Sequence, residues 1–335
     1  MSRPRFDLTA SPHIKGPDTT PRIMWSVVAT LVPVIFASAW FFGPSALLVI
    51  AAATTGALAT ERLFGPGGST ADGSAAITGL LLGLTLPAGM PLWMAFTGGA
   101  FGIGFGKLIF GGLGQNVFNP ALVGRAFLQA AFPTAITTWP AMGQPWATLR
   151  GPNFALPFMS GSADAVTAAT PLNLMKFEHA ATDVGNLLIG NTAGSLGETS
   201  AVLLLLGGLY LAARKYLNWR IPVSILLTVT ILSGILWRID PAAFADPLFM
   251  LFSGGLMLGA IYMATDMVTS PVTNRGAWIF GFGIGCLVVL IRVWGGLPEG
   301  VMYAILLMNA LVPFINRVTQ PRVFGTRLEA ARDPS

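Results

Sequence analysis

The chain's most reactive-looking stretch is Asp164-Ala165-Val166-Thr167-Ala168-Ala169-Thr170-Pro171-Leu172, a run of small residues in the longest polar gap of an otherwise apolar sequence. A hydroxyl in such a run can accept a phosphoryl group. To attack a pyrophosphate held by a separate enzyme it needs an exposed loop with little side-chain bulk, and Ala165, Ala168 and Ala169 supply that. Pro171 fixes its own φ and biases Thr170 toward an extended backbone, which presents the Thr170 hydroxyl. The same nine residues also read as an ordinary loop of small side chains.

Ionisable side chains inside apolar runs form the second group of interest, because a charge in hydrocarbon is costly and by default functional. Asp72, Glu198, Asp266 and Arg125 stand in such positions. The three acids are candidates for an ion path, with Asp72 and Asp266 toward one face and Glu198 toward the other. Each also suits a helix start, where a carboxylate is favoured by free N–H groups and the dipole. Arg125 follows Asn119-Pro120 and is suited to a phosphate or to a carboxylate partner. Asn116, Asn119 and Asn309 can serve a bound ring or tie helices together.

Composition sets the environment these groups work in. The 335 residues are 53% hydrophobic and only 10% charged, where soluble domains carry roughly 25% charge. This is an all-α polytopic membrane protein. A single cysteine, Cys286, excludes a disulfide framework and an iron–sulfur ligand set, and two histidines, His13 and His179, argue against a bis-histidine haem. If this chain carries electrons, an organic cofactor has to do it. The net charge of +5 fits the cytoplasmic bias of membrane proteins, and no clustered basic face points to nucleic acid. The N-terminus is polar through Pro21 and the first apolar run is long enough to span, so no cleavable signal peptide is expected.

About ten spans are expected, near 22–42, 45–62, 73–88, 92–110, 119–136, 199–216, 221–238, 247–265, 277–294 and 301–317. The third and fifth are short or glycine-rich, which predicts tilted, broken or re-entrant segments. The organisation is a cytoplasmic segment 1–21, a first bundle 22–136, a periplasmic loop 137–198 bearing Thr170, a second bundle 199–317 and a cytoplasmic tail 318–335. Lys and Arg placement puts both termini in the cytoplasm and the Thr170 loop on the periplasmic side of a bacterial inner membrane. Pro91–Gly99 and Pro247–Gly255 resemble each other, as duplicated halves would.

No strand-then-helix Gly-x-Gly-x-x-Gly unit is present; Gly102, Gly104 and Gly106 lie in a span, where close helix packing explains them. The residues thus give no nicotinamide-binding signature of that kind. Trp139, Trp146, Trp237 and Trp294 are placed as anchors at the outer interface, with Trp139 and Phe158 also able to stack on a flat ring.

The stretch from Asp164 resembles the Asp-x-x-Ser/Thr-Gly-Ala-Thr/Ser pattern at which FMN is joined through its phosphate to a threonine, with Thr167 at the fourth position, Ala168 where glycine is usual, Ala169 next and Thr170 as acceptor, followed here by Pro171. Ser11-Pro12-His13-Ile14, Asp72-Gly73-Ser74-Ala75, Phe110 to Pro120, Gly197-Glu198-Thr199-Ser200, Ala264 to Pro271 and Leu307 to Pro313 extend the likeness to nearly the whole chain. Together they resemble the D subunit of the Rnf electron-transport complex. The homologous B subunit of the sodium-pumping NADH:quinone reductase is the alternative, and is typically longer.

The resemblance implies a ten-helix fold similar to urea transporters, covalent FMN on Thr170 installed by a flavin transferase, and a second, non-covalent riboflavin. It implies partner subunits A, B, C, E and G, and electron relay between ferredoxin and NAD coupled to Na⁺ or H⁺ movement. In that setting Asp164, Thr167, Ala169, Pro171, Arg125 and Asn119 are candidate cofactor-binding residues, and the chain is an electron relay within a larger enzyme. Two other classes fit the same apolar pattern: a urea- or ammonium-type channel and a cofactor-free scaffold. A flavinylation site at Thr170 argues against both.

Overall fold

The computed structural model describes residues 18–65, 69–141, 145–157, 168–180, 182–198, 200–241 and 243–321, and every regular element among them is a helix. The elements are α1 (Thr20–Phe42), α2 (Pro44–Phe64), α3 (Ser74–Leu84), α4 (Leu92–Gly106), α5 (Pro120–Ala131), α6 (Pro133–Thr137), α7 (Pro171–Asn173), α8 (Val184–Ile189), α9 (Ala201–Ala213), α10 (Arg220–Ile239), α11 (Pro247–Phe252), α12 (Leu256–Leu258), α13 (Asn274–Trp294) and α14 (Val301–Thr319). Among the described residues six helices are long and apolar enough to cross a membrane: α1, α2, α4 with its 3₁₀ extension to Phe110, α10, α13 and α14. The molecule is a multi-pass membrane protein.

The remaining expected spans are helical but short or interrupted. α3 has 11 residues and α9 has 13. The segment expected at 119–136 divides at Phe132, because Pro133 lacks the N–H that would continue α5. The segment expected at 247–265 divides twice: α11 ends before Gly254, whose φ of +66° no continuing helix allows, and α12 passes into a π-turn over Gly259–Met263. Non-helical backbone of this kind is tolerated at membrane depth only where it is buried in protein or lines a cavity. The two similar sequence stretches therefore diverge in structure: α4 runs straight through Gly98 and Gly99, whereas α11 stops before Gly254.

α2 packs chiefly on α3 and α4, α4 on α5, and α10 on α13. Glycine permits the α4–α5 approach. A methyl group at Gly102 would lie 2.7 Å from the Pro120 carbonyl oxygen, and one at Gly106 would lie 2.8 Å from Pro120 Cα. One apolar core, from Leu31 of α1 to Val312 of α14, joins the elements before and after the central loop. Residues far apart in sequence are thereby brought to common cavities.

Candidate functional site

Thr170 opens the short helix α7 as its N-cap, and its Oγ1 accepts a hydrogen bond from the Asn173 N–H at 3.3 Å. The extended backbone expected before a proline is present, with φ −71° and ψ 156°. The loop differs from expectation in one respect: Thr170 is only 7% exposed. Pro171 and Leu172 are buried beside it, and Leu172 packs with Leu187 and Phe249. The segment is docked onto the helices because its apolar side chains gain more by burial than a free loop could. Ala168 N–H donates to the Trp139 carbonyl at 2.9 Å, fixing the approach to Thr170. Asp164, Thr167 and Phe158 lie outside the described residues; Ala169 is exposed.

The buried threonine borders a cavity of about 280 Å³. Trp139, Phe177 and Tyr303 supply aromatic walls, and Arg125, Glu198 and Glu299 supply charge. Trp139 is 9% exposed, so it serves this cavity; Trp146 and Trp294 are exposed, as interface anchors would be. Arg125 projects from α5, donating through Nη1 to the Thr85 carbonyl at 2.5 Å and through Nη2 to Glu299 Oε2 at 2.9 Å. Glu299 Oε1 in turn accepts from the Gly255 N–H at 2.7 Å. Glu198 reaches the same place: a methyl group at Gly255 would meet Glu299 Oε1 at 2.5 Å and Glu198 Oε1 at 3.9 Å. The structure thus brings Thr170, Pro171, Arg125 and Glu198 together, and adds Glu299.

Lys176 holds the docked segment from its far side. Its Nζ donates to the carbonyls of Ile291, Arg292, Gly295 and Leu297 at 2.5–3.4 Å, at the C-terminal end of α13 where free carbonyls favour a cation. Burial pushes the Lys176 ammonium below its ordinary value.

A second constellation lies at the opposite ends of α3 and α5. Asp72 Oδ1 accepts from Ser74 N–H at 2.8 Å and from Ser74 Oγ at 2.5 Å, which is a capping arrangement. The chain of contacts continues, because Lys107 Nζ donates to Ser74 Oγ and to Glu61 Oε1, both at 2.6 Å. Lys107 is 3% exposed and Glu61 1% exposed, and Glu61 Oε2 has no partner among the described residues. Asp266, Asn116 and Asn119 line a neighbouring cavity of about 100 Å³ together with Ser74 and Lys107. Asp266 accepts from Val268 N–H and Thr269 Oγ1.

Asn119 caps α5 through Oδ1 and ties it to the Met263 carbonyl through Nδ2, so it stands apart from Thr170. Asn309 likewise acts between elements, donating to the Thr269 carbonyl. Among the described residues no three His, Cys, Asp or Glu side chains form a metal-ligand group.

Sequence reasoning missed Glu299, Glu61 and the anchoring of Lys176. Glu299 sits in Gly-Leu-Pro-Glu-Gly between two spans and has the pattern of a surface turn. Glu61 and Lys107 stand near the ends of apolar runs, where charges are normally wet. Their 46-residue separation carries no pairing signal of its own.

Residues 7–325 match the model of the NQR2, RnfD, RnfE family. The chain is 42% identical over 96% of its length, and 97% of the relative's, to the D subunit of the proton-translocating ferredoxin:NAD(+) oxidoreductase complex of Clostridium ljungdahlii. It is 44% identical to the D subunit of the ion-translocating oxidoreductase complex of Stutzerimonas stutzeri, over 91% of this chain and 92% of that one. The D subunit of the Na(+)-translocating ferredoxin:NAD(+) oxidoreductase complex of Acetobacterium woodii is 37% identical over 97% of both. With a family match over nearly its whole length and these relatives all D subunits, this chain belongs to the NQR2, RnfD, RnfE family and is of the RnfD type.

Proposed function

We propose that this chain is the membrane electron-relay subunit of an ion-translocating ferredoxin:NAD(+) oxidoreductase, and that FMN is joined to Thr170 by a phosphoester bond. The observation that carries the reading is the position of the Thr170 hydroxyl on the wall of a cavity with aromatic faces and a fixed cation. At about 280 Å³ the cavity approaches the lower end of ordinary cofactor sites, about 300 Å³. The residues fit the group: apolar rings for a flat heterocycle, and Arg125 for an electron-rich edge.

A bound flavin would supply the capacity to take up and pass on electrons. The chain's own residues do the rest. Thr170 holds the tether, and Pro171 with buried Leu172 orients it. Trp139 and Phe177 give the cavity flat apolar walls. Arg125 offsets negative charge there while Glu299 keeps its guanidinium in place. Glu198, without an ion-pair partner among the described residues, is the acid free to hold or release a proton at this cavity.

The riboflavin implied by the resemblance is a different matter. The cavity at Asn119 and Asp266, about 100 Å³, is well below the roughly 300 Å³ of ordinary ligand sites. It does not fit that group as it stands, and no step is assigned to it. The polar chain from Asp72 through Ser74 and Lys107 to Glu61 is instead proposed as part of the Na⁺ or H⁺ path, with Asp266 beside it. Subunits A, B, C, E and G are the proposed partners, with both termini cytoplasmic, the Thr170 loop periplasmic and a ten-helix, urea-transporter-like arrangement. The test of the central claim is flavin fluorescence of the denatured polypeptide in a gel, after production with a flavin transferase. A non-fluorescent band would defeat it and would favour the channel or scaffold classes.

A further inference from the structure

The segment after Thr170 borders a second cavity that electron relay does not use, of about 140 Å³. Three basic side chains line it: Lys176, His179 and Arg292. Arg292 stands in the last turn of α13 and is 4% exposed. Its Nη1 and Nη2 donate to the Met250 and Ser253 carbonyls, while its Nε has no acceptor among the described residues. Among the described residues neither Arg292 nor Lys176 has a carboxylate within ion-pair distance. Two carboxylates, Glu299 and Glu198, lie near enough for their charge to reach Arg292, but Glu299 is bonded to Arg125 and neither is within ion-pair distance of Arg292.

Carbonyl oxygens satisfy hydrogen bonds but leave the net charge in place. A buried guanidinium with an unused N–H, beside a second cation at the same partly open cavity, is costly unless an anion completes it. A phosphate oxygen suits both the guanidinium edge and the ammonium field. The rest of the wall is apolar, with Leu172, Met175, Phe244 and Phe249, and the cavity lies where α13 ends. Free phosphate has no use for such a wall, whereas the glycerol and first acyl carbons of a lipid do.

We infer that Lys176, His179 and Arg292 form a phosphate site occupied by the head group of an anionic phospholipid. Lys176 contributes field alone, since its protons are committed to carbonyls; Arg292 Nε and the His179 ring contribute hydrogen bonds. His179 is held in place by a left-handed backbone, φ +53°, which caps the π-turn Leu174–Glu178. The site does not depend on the flavin reading.

The test compares the full chain in nanodiscs of phosphatidylglycerol, of phosphatidylcholine, and of phosphatidylcholine with inorganic phosphate, read by native mass spectrometry and thermal unfolding. Retention of phosphatidylglycerol should exceed that of phosphatidylcholine about tenfold, the worth of one charge-assisted hydrogen bond. His179→Asn, which tolerates the positive φ, should reduce that preference several-fold, and Arg292→Lys should reduce it further. If Arg292→Lys fails to fold, His179→Asn still decides the matter. Equal retention of the two lipids overturns the lipid assignment, and equal protection by inorganic phosphate does the same in favour of the free anion. Loss of the preference in Thr170→Ala would overturn the site's independence and assign the phosphate to the tether.

Discussion

Arg125 and Glu299 form a 2.9 Å ion pair between α5 and the turn that opens α14, joining positions 174 residues apart. Their side chains are 10% and 20% exposed, so the pair is mostly withdrawn from solvent. Removing one partner leaves the other's charge stranded, at a cost of about 3–5 kcal/mol for a buried pair. Arg125→Met and Glu299→Met should each lower the unfolding temperature. The double variant should be more stable than the sum of the two losses allows. A strictly additive double-mutant cycle would show that the pair contributes no coupling.

Thr170 carries two roles that substitution can separate. Thr170→Ala loses the cap on α7 and should cost about 1 kcal/mol. Thr170→Asn keeps a capping oxygen but offers no hydroxyl, so it should fold as the natural chain does and give no flavin adduct. Mass spectrometry of the peptide spanning 161–176 reads the outcome. An adduct that survives in Thr170→Asn places the attachment elsewhere.

Burial of Thr170 predicts an order of events in maturation. A transferase must bring its bound flavin dinucleotide to the hydroxyl, and a residue only 7% exposed is poorly placed for that. Folded, purified chain made without transferase should therefore accept flavin slowly when the enzyme is added later. Lys176→Met, which removes the tie to α13, should accelerate that late transfer. Equal rates for folded chain and for a free 161–176 peptide would show that docking is no obstacle.

Asp72 ends a polar chain that continues to the buried Lys107 and Glu61. A pure cap should tolerate Asp72→Asn within about 1 kcal/mol. A carboxylate that meets a hard cation should not, because the amide lacks its charge. Ion uptake and electron transfer should both fall in flavinylated, assembled complex. Normal rates with normal flavin content would return Asp72 to capping alone.

Orientation can be checked without any cofactor. A cysteine at Ala141 should react with an impermeant reagent from the periplasm, and one at Ser335 only after the cytoplasmic side is opened. Labelling of both from one side contradicts the proposed topology.

The long spans were legible because their signal is local. α1, α2, α10, α13 and α14 are uninterrupted apolar runs bounded by glycine, proline or charge, and each forms within a few residues of its expected limits. A break in the fifth expected span is legible in its glycine and in Pro133, which divides it at Phe132; the break in the eighth is not, because the turn at Gly254 and Gly255 is held by Arg292 and Glu299, which are distant in sequence. The site follows the same division. Thr170 announced itself through its motif, and Arg125 and Glu198 through charge in apolar surroundings. Their meeting with Glu299 depends on how α5, the Gly255 turn and the α14 entrance pack, which no spacing reveals. The burial of Lys107 against Glu61 follows from the packing of α4 on α2, which neither residue's local sequence carries.

The residues from Ala168 to Lys176 are moored at both ends, by the Trp139 carbonyl at one and by the carbonyls at the end of α13 at the other. A group fastened at Thr170, between those moorings, would be a stationary relay and not a swinging arm. Under the proposed function, electron exchange at that point would be governed by distance to the neighbouring carriers. Any large motion in such a route would then have to be made by those carriers, with this chain as the fixed platform they approach and leave.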